Sequence, residues 1–326
     1  MYSHISQQKM SVSATAFLSE YHGHRVSDLS LVLNELRQRH DAVIFLAGDS
    51  SLDNKFWLHG QVSAINGYEA VISPPTVKPD VCYHLNVEAM THPNSKICCI
   101  NTAIEATSLN DRAFCHLLAQ DRFIRDNIGP EDTLVVSIGG NDIALVPVLC
   151  TCVNIVPLVC CTPIACLEAY GCACPPNLRI DGGCFCCGLP GCLAGLFGCP
   201  PGLGYFADMF GNRVQNYIEQ LVSVTKPRKV IVSMIYFPDE VASGSWADGA
   251  LSALCYDCYP YRLQAAIRKV YEVGTSRIRI TGTEVVPFPL FETLDGKTSA
   301  DYEQRVEPST QGGQKIAQAL MRLIHP

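Results

Sequence analysis

The chain has 326 residues, of which 48% are hydrophobic and 17% charged, so it can bury a large core and is not a disordered protein. Its formal net charge of -7 excludes the basic face that nucleic-acid binding requires. We therefore expect a single globular domain over residues 1–326 that has no nucleic-acid partner.

The first residues, MYSHISQQKMSVSATAF, are polar throughout and lack an apolar run of signal-peptide length. This predicts a cytoplasmic location. The remainder alternates between short apolar runs and segments with helical period.

Residues 28–39 carry leucines at largely helical spacing and predict the first helix, and AVIFLAG at 42–48 predicts a strand buried on both faces. Further strands are predicted at 98–103, 133–140, 229–237 and 277–282, and further helices at 109–119, 205–224, 259–273 and 311–324. Five strands that alternate with helices predict an α/β fold, in which helices cover both faces of a five-stranded parallel sheet.

Polar stretches follow the predicted strands, where ligands bind in sheets of this class. They are GDSSLDN at 48–54, NTAIEAT at 101–107, GGND at 139–142 and, close to the last helix, DYEQRVEPS at 301–309. Because the carboxyl ends of parallel strands meet at one edge, these stretches are expected to converge on one pocket.

Taken in this order, the four stretches resemble the sequence blocks of the SGNH (GDSL-type) hydrolase superfamily. FLAGDSSLD resembles the first block and GGND the third, and the resemblance covers roughly residues 40–145 and 225–325. It implies a three-layer α/β/α sandwich of flavodoxin-like type, a nucleophile at Ser50, an oxyanion-hole donor at Asn141 and no cofactor.

Two blocks depart from the family pattern. NTAIEAT has Glu105 where the family has Gly, and QRVEPS has Gln304 and Glu307 where it has Asp and His. The predicted oxyanion hole therefore consists of the backbone N–H groups of Ser50 and Glu105 together with the Asn141 amide.

The absent histidine leaves Glu307 as the predicted base for Ser50. A free glutamate has a pKa of about 4.3 and is a weak base, but two carboxyl groups in one poorly solvated pocket raise a pKa. Glu105 and Glu307 are predicted to form such a pair, and Asp49 completes the predicted catalytic set.

Other interpretations of these residues remain open. Glu307 can be a structural acid that pairs with Arg305 or caps a helix. A base can come from another histidine, and a divalent cation can bind Asp49, Glu105 and Glu307, although the spacing does not require a metal. The histidines considered are His59, His84, His92 and His116.

The segments SMIYFPDE and GSWAD follow the fourth predicted strand, so Tyr236, Phe237 and Asp239 are expected on the pocket side. Trp246 either lines the substrate pocket or anchors the loop. Gly140 lets the backbone pass close to a reacting group, so the predicted pocket wall consists of Gly140, Tyr236 and Trp246. Asp142 is expected to cap the turn that follows.

Residues 146–207 form a predicted insertion rich in Cys, Gly and Pro, whose charged residues are Glu168, Arg179 and Asp181. Its prolines and glycines argue against two membrane-spanning helices. Three interpretations remain: a lid over the site, a flap that contacts a membrane surface, with or without acylated cysteines, and a loop held by disulfides or a metal. No pair of Cys-x-x-Cys motifs has zinc spacing, so no metal is predicted.

Three functions follow from these patterns. The first is an esterase or lipase-like hydrolase that forms an acyl-enzyme at Ser50 and acts on an acyl ester or lipid. The second is an inactive domain that binds a ligand or partner through the apolar insertion. The third is an acyltransferase that uses the same acyl-serine chemistry.

Overall fold

The computed structural model describes residues 11–92, 96–114, 116–145, 149–173 and 195–325. Five strands form its central sheet: β1 (Ala42–Gly48), β2 (Ile97–Asn101), β3 (Thr133–Ser137), β4 (Lys229–Ser233) and β5 (Glu284–Phe288). The strands lie in the order β5-β4-β3-β1-β2, and every pairing is parallel. This is the flavodoxin-like order of a doubly wound sheet, which confirms the predicted α/β fold.

The longer helices of the described residues are α1 (Val26–Arg39), α2 (Val81–Met90), α3 (Ala119–Asn127), α4 (Leu149–Val156), α5 (Ile164–Tyr170), α6 (Val214–Leu221), α7 (Pro260–Val273) and α8 (Thr310–Ile324). Shorter α-helical pieces are Ala14–Ser19, Asn141–Ala144, Leu203–Ala207 and Asp248–Ala253, and π-helical turns cover Pro157–Cys161 and Asp208–Arg213. Four two-residue ladders pair Val12–Ser13 with Ile72–Ser73, Val62–Ser63 with Thr76–Val77, Cys172–Ala173 with Gly198–Cys199, and Tyr302–Glu303 with Glu307–Pro308.

Alternate side chains of the strands face two helical layers. Val43 and Phe45 of β1 pack with buried residues of α1, α3, α6 and α7, whereas Ile44 and Leu46 pack with residues of α2 and α8. Both faces of the sheet are therefore covered, which is why its strands read as continuous apolar runs.

The fifth strand lies later than predicted. Residues 275–277 form a 3-10 turn, and β5 covers 284–288, so the predicted strand at 277–282 is wrong. Pro287 weakens the strand pattern of EVVPF, but β5 is an edge strand, where a missing backbone N–H is tolerated.

The predicted helix at 109–119 is also wrong. Only a 3-10 turn at Asn110–Arg112 falls there, and α3 begins at Ala119, where the Asp121 carboxylate accepts the Leu118 backbone N–H (3.0 Å). Helix α2 was not predicted, because its apolar residues do not form a one-sided stripe; six of its ten residues are buried.

The predicted insertion lies partly outside the described residues, at 146–148 and 174–194. In its described part α4 continues into the π-helical turn Pro157–Cys161, and α5 begins directly after Pro163. No single helix among the described residues is long and apolar enough to cross a membrane; Leu149–Cys161 and Ile164–Tyr170 pass by length and composition only as a pair, bent by 106°.

Candidate active site

Strands β1 and β3 are neighbours in the sheet, and their ends place Ser50 and Asn141 at the same edge. Gly48, the last residue of β1, pairs with Ser137, the last residue of β3. Gly48 has φ +132°, and a Cβ at this position would lie 1.7 Å from the Ser137 carbonyl oxygen. A glycine is therefore required at the close approach from which the chain turns to Ser50.

A short hairpin before α8 brings Glu307 to the same place. Glu303 pairs with Glu307 across the hairpin, and the Ser309 hydroxyl caps α8 by accepting the Gly312 N–H (3.1 Å). The Tyr236 hydroxyl donates to the Val306 carbonyl oxygen and so fixes the residue next to Glu307. The Tyr236 loop and the hairpin before α8 thus hold the Glu307 carboxyl group near Ser50.

Glu307 is 3% exposed, and its carboxyl group lies near the Ser50 hydroxyl. Burial raises the pKa of Glu307 well above its usual value, the nearby Ser50 hydroxyl lowers it, and the charges of Glu105 and Asp49 raise it further. Its Oε2 atom is buried and has no hydrogen-bond partner among the residues that the structure describes. One carboxyl oxygen is therefore available to a ligand or a proton.

Ser50, Asn141 and Glu307 lie together in the wall of a cavity of about 260 Å³. The three residues predicted for the pocket, Gly140, Tyr236 and Trp246, lie in the same wall. Most of the remaining wall is apolar. It comes from the short helix Asn141–Ala144, from α4, from the segment that follows β4, from α7 and from the hairpin before α8, and it consists of Ile143, Ala144, Ile155, Val156, Ile235, Pro238, Ala250, Leu251, Ala253, Leu254, Leu263, Ile267 and Val306. The cavity thus has a polar end and an apolar body.

Two of the three predicted oxyanion donors, Ser50 and Asn141, belong to residues of the cavity wall. One N–H of the Asn141 side-chain amide donates to the Thr107 carbonyl oxygen (2.9 Å), which orients the amide. The second N–H of the amide can then donate to a ligand. No hydrogen bond of the described residues uses the Ser50 backbone N–H. The Glu105 N–H instead donates to Asp53 Oδ2 (3.3 Å), so its predicted role requires that this bond breaks.

Asp49 is buried beside Ser50 and also lines the cavity. Its Oδ1 atom accepts the backbone N–H (3.0 Å) and the hydroxyl (2.7 Å) of Ser51. Burial raises the pKa of Asp49 to about 6, although the bonds from Ser51 lower it. Asp49 thus fixes the turn that presents Ser50.

The chain matches no family model and no curated protein by sequence. It is similar in structure to the lipase/acylhydrolase from Enterococcus faecalis, with a TM-score of 0.41, 11% identity, and coverage of 87% of this chain and 95% of that chain. It is also similar to Axe2, an acetylxylan esterase from Geobacillus stearothermophilus, with a TM-score of 0.41, 13% identity, and coverage of 88% and 95%. A further similar structure is LAE5, an alpha/beta hydrolase enzyme from the metagenome of Lake Arreo, Spain, with a TM-score of 0.39, 14% identity, and coverage of 87% and 94%.

The second predicted carboxyl group, Glu105, lies outside the wall of this cavity but close enough for its charge to act on Glu307. Glu105 is 1% exposed, and within the described part of the chain neither of its carboxyl oxygens has a hydrogen-bond partner. Burial raises its pKa to about 8, the Asp53 carboxylate adds to this, and Lys55 and the nearby Trp57 indole N–H oppose it. The indole N–H interacts with the carboxyl group without meeting the geometry of a hydrogen bond.

A buried polar network behind Glu105 escaped the sequence analysis. Lys55 is buried and forms an ion pair with Asp53 (2.7 Å), and the Asn101 amide donates to Asp53 (3.1 Å) and Asp80 (3.3 Å). The motif NTAIEAT gave Asn101 no special signal, and Asp53 and Lys55 read as ordinary turn residues. This network places a second carboxylate next to Glu105.

Tyr21 was also missed. Its hydroxyl lies near both glutamates: burial raises the pKa of Tyr21, and the charges of Glu105 and Glu307 raise it further. The Tyr21 ring packs edge-on against the exposed Phe56 at 4.8 Å between ring centroids. Tyr21 belongs to the N-terminal segment, outside the four stretches that predicted the site.

The structure does not bring the alternative partner of Glu307, Arg305, or the alternative histidine bases to the cavity. Arg305 pairs with Asp248 (2.9 Å) and Asp257 (3.0 Å) rather than with Glu307. None of the histidines His59, His84, His92 and His116 lines the cavity. Among the residues that the structure describes, no group of three or more His, Cys, Asp and Glu side chains is arranged to hold a metal ion, and this includes Asp49, Glu105 and Glu307.

Some expected roles need correction. Asp142 does not cap its own turn, because its carboxylate accepts the N–H groups of Leu109 (2.8 Å) and Asn110 (3.2 Å) and so anchors the neighbouring loop. Phe237 stacks on Phe291 at 5.1 Å between ring centroids, and Asp239 accepts the Ser299 hydroxyl (3.0 Å). Neither Phe237 nor Asp239 lines the cavity.

Glu105→Gln is expected to stabilise the protein at alkaline pH and to change little near pH 5. The folded-state pKa of Glu105 is raised to about 8, so the folded protein holds a proton that the unfolded chain releases near pH 4.5. The wild type therefore loses stability as pH rises between these values, and an uncharged Gln removes that loss. The melting temperature of both proteins, followed from pH 5 to pH 9, measures this difference. Equal pH dependence of the two curves would contradict the assignment, and Glu131→Gln, at an exposed position, is the control.

Proposed function

We propose that the protein is a serine acyl-ester hydrolase that forms an acyl-enzyme at Ser50. One observation carries this proposal: a hydroxyl, an acceptor carboxyl and an oriented amide lie at the polar end of one apolar cavity. Nucleophile, base and oxyanion donor are the groups that acyl transfer requires, and the apolar body suits an acyl group.

The reaction proceeds in two steps. The Ser50 hydroxyl oxygen attacks the ester carbonyl carbon and passes its proton to the Glu307 carboxylate, while the oxyanion accepts hydrogen bonds from the Ser50 N–H and the Asn141 amide. Collapse breaks the ester C–O bond, the leaving alkoxide takes the proton from Glu307, and an acyl-serine remains. A water molecule then attacks this ester, Glu307 accepts its proton and returns it to Ser50, and a carboxylic acid leaves.

The electrostatics of the cavity support a glutamate as the base in place of an imidazole. Burial and the carboxylates of Glu105 and Asp49 raise the pKa of Glu307, so its ionised form is a stronger base than a glutamate in water. A carboxylate has no tautomer to be fixed, so the neutral Gln304 is sufficient where a histidine would need an aspartate. Gln304 instead accepts the Trp246 backbone N–H (3.4 Å).

The insertion acts as a lid in this proposal. Thr151, Cys152, Ile155 and Val156 of α4 line the cavity, and Leu149 and Val153 of the same helix are exposed. An apolar outer face beside an acyl cavity suits contact with a lipid surface, where an ester substrate would be held. Vesicle partitioning with and without hydroxylamine tests this contact and any acylation of the cysteines. A cytoplasmic location stays a prediction.

A fluorophosphonate probe tests the acyl-enzyme directly. We expect a covalent adduct that mass spectrometry of peptides assigns to Ser50, and no adduct in the Ser50→Ala variant. Labelling must be lost on prior unfolding, since activation of the serine depends on the assembled site. A folded protein that gives no Ser50 adduct would exclude the acyl-enzyme.

A second function has a specific observation in its favour. The raised pKa of Glu307 favours its protonated form, and a protonated carboxyl group cannot accept the serine proton. The domain would then bind an acyl ligand without turnover. Saturable binding without labelling from pH 6 to pH 9 supports this alternative, and labelling that increases with pH supports the hydrolase.

A further inference from the structure

A second, wholly apolar cavity of about 20 Å³ shares part of its wall with the first cavity. The residues common to both walls are Ile143, Ile155, Ile235, Leu263 and Ile267. The polar residues of the first cavity, Ser50, Asn141 and Glu307 among them, do not line the second. The five shared residues therefore mark the apolar end of the first cavity.

The volumes of the two cavities limit the length of a chain that the first cavity can hold. An apolar cavity of about 150 Å³ holds one benzene molecule, so 260 Å³ has room for roughly ten carbon atoms. The second cavity has about the room that one or two water-sized spheres fill. It is lined on its far side by bulky residues such as Phe206, Phe210 and Met234, so it cannot take a long chain in its present form.

We propose that the first cavity binds a linear acyl chain of medium length, about ten carbons, and that the five shared residues form a boundary that sets the maximum length. The placement of the ester carbonyl at Ser50 rests on the proposed function. The length boundary rests only on the two cavities and their common wall.

Binding of uncharged, non-hydrolysable ligands tests the boundary without catalysis. We choose linear 1-alkanols from six to fourteen carbons, measured by calorimetry on the wild-type protein, because no charge then meets the Glu307 carboxyl group. Each methylene that enters an apolar site is worth a factor of about four in Kd. The Kd is expected to fall by about this factor per carbon up to about ten carbons and then to stop falling. A steady decrease through fourteen carbons, or no saturable binding, would overturn the proposal.

Substitutions at Ile267 test the identity of the boundary. Ile267→Ala is expected to join the two cavities and to move the break in the Kd series toward longer alkanols by about two to three carbons, because about three carbon atoms are removed. Ile267→Phe is expected to move the break toward shorter alkanols. The matched control is Ile316→Ala, which removes the same atoms from α8 in the opposite layer and lines neither cavity.

The two proposals fail in different ways. If both Ile267 variants leave the break where the wild type has it, the boundary is wrong even when Ser50 is labelled. If the break moves as expected but Ser50 gives no adduct, the chain-length boundary stands and the hydrolase proposal falls. If Ile267→Ala does not fold, Ile267→Phe and the wild-type series still decide the question.

Discussion

Ser50→Ala is expected to lower kcat/KM for an acyl ester of medium chain length by at least about 10³-fold. The hydroxyl oxygen of Ser50 is the atom that forms the acyl-enzyme bond in the proposed reaction. Alanine lacks this oxygen but leaves the backbone N–H of residue 50 and the Asn141 amide in place. Hydrolysis of p-nitrophenyl octanoate measures the effect. The residual rate then reports what the oxyanion donors and substrate binding contribute without a nucleophile.

The melting temperature separates a catalytic loss from an unfolded variant. It should change by only a few degrees, because the substitution removes a single oxygen atom from a small side chain that lines the cavity. Ser252→Ala, a serine that does not line the cavity, controls for the loss of a hydroxyl as such and should retain full activity. Activity of Ser50→Ala within tenfold of the wild type would contradict the assignment of the nucleophile.

Glu307→Gln is expected to lower kcat by about 10²- to 10⁴-fold, the usual contribution of a general base. A glutamine side chain occupies the same volume but does not accept the serine proton. Glu303→Gln is the matched control, since Glu303 lies on the same hairpin but is partly exposed and outside the cavity wall. Equal rates for Glu307→Gln and the wild type would remove Glu307 from the mechanism.

The pH profile gives a second readout of the same residue. The base acts in its ionised form, and burial raises the pKa of Glu307 well above its usual value. Activity is therefore lost below this raised pKa and increases as pH rises through it, so kcat/KM should still be increasing at pH values where an ordinary glutamate is fully ionised. Glu307→Gln should lose this rising limb. A wild-type profile that is flat above pH 5.5 would contradict the raised pKa.

The sheet was predictable from the sequence because it is buried on both faces. AVIFLAG, TLVVS and KVIVS are continuous apolar runs, and such runs occur almost only in strands covered by helices on either side. The strand ends then placed Ser50 and Asn141 at one edge. Here local pattern and tertiary packing agree, so the short motifs could be assigned a common location.

The failed predictions have a common physical cause. β5 contains Pro287, which cannot donate a backbone hydrogen bond. This missing bond is tolerated because β5 lies at the edge of the sheet, and the position of a strand in the sheet depends on strand order rather than on local sequence. The surroundings of Glu105 were hidden for a similar reason. Its pKa is raised first by burial and then by Asp53, and it is lowered by Lys55 and Trp57. No sequence motif connects these residues to Glu105. Burial and proximity in the folded chain decide such properties.

The hairpin that carries Glu307 is hydrogen-bonded to a loop in the cavity wall. The Ser245 hydroxyl donates to the Gln304 carbonyl oxygen, and the Trp246 backbone N–H donates to the Gln304 side chain (3.4 Å). Trp246 lines the cavity, so a bound acyl chain that reaches it would contact a loop that is hydrogen-bonded to the hairpin carrying Glu307. If Glu307 is the proposed base, we expect a well-fitted substrate to gain in turnover as well as in affinity.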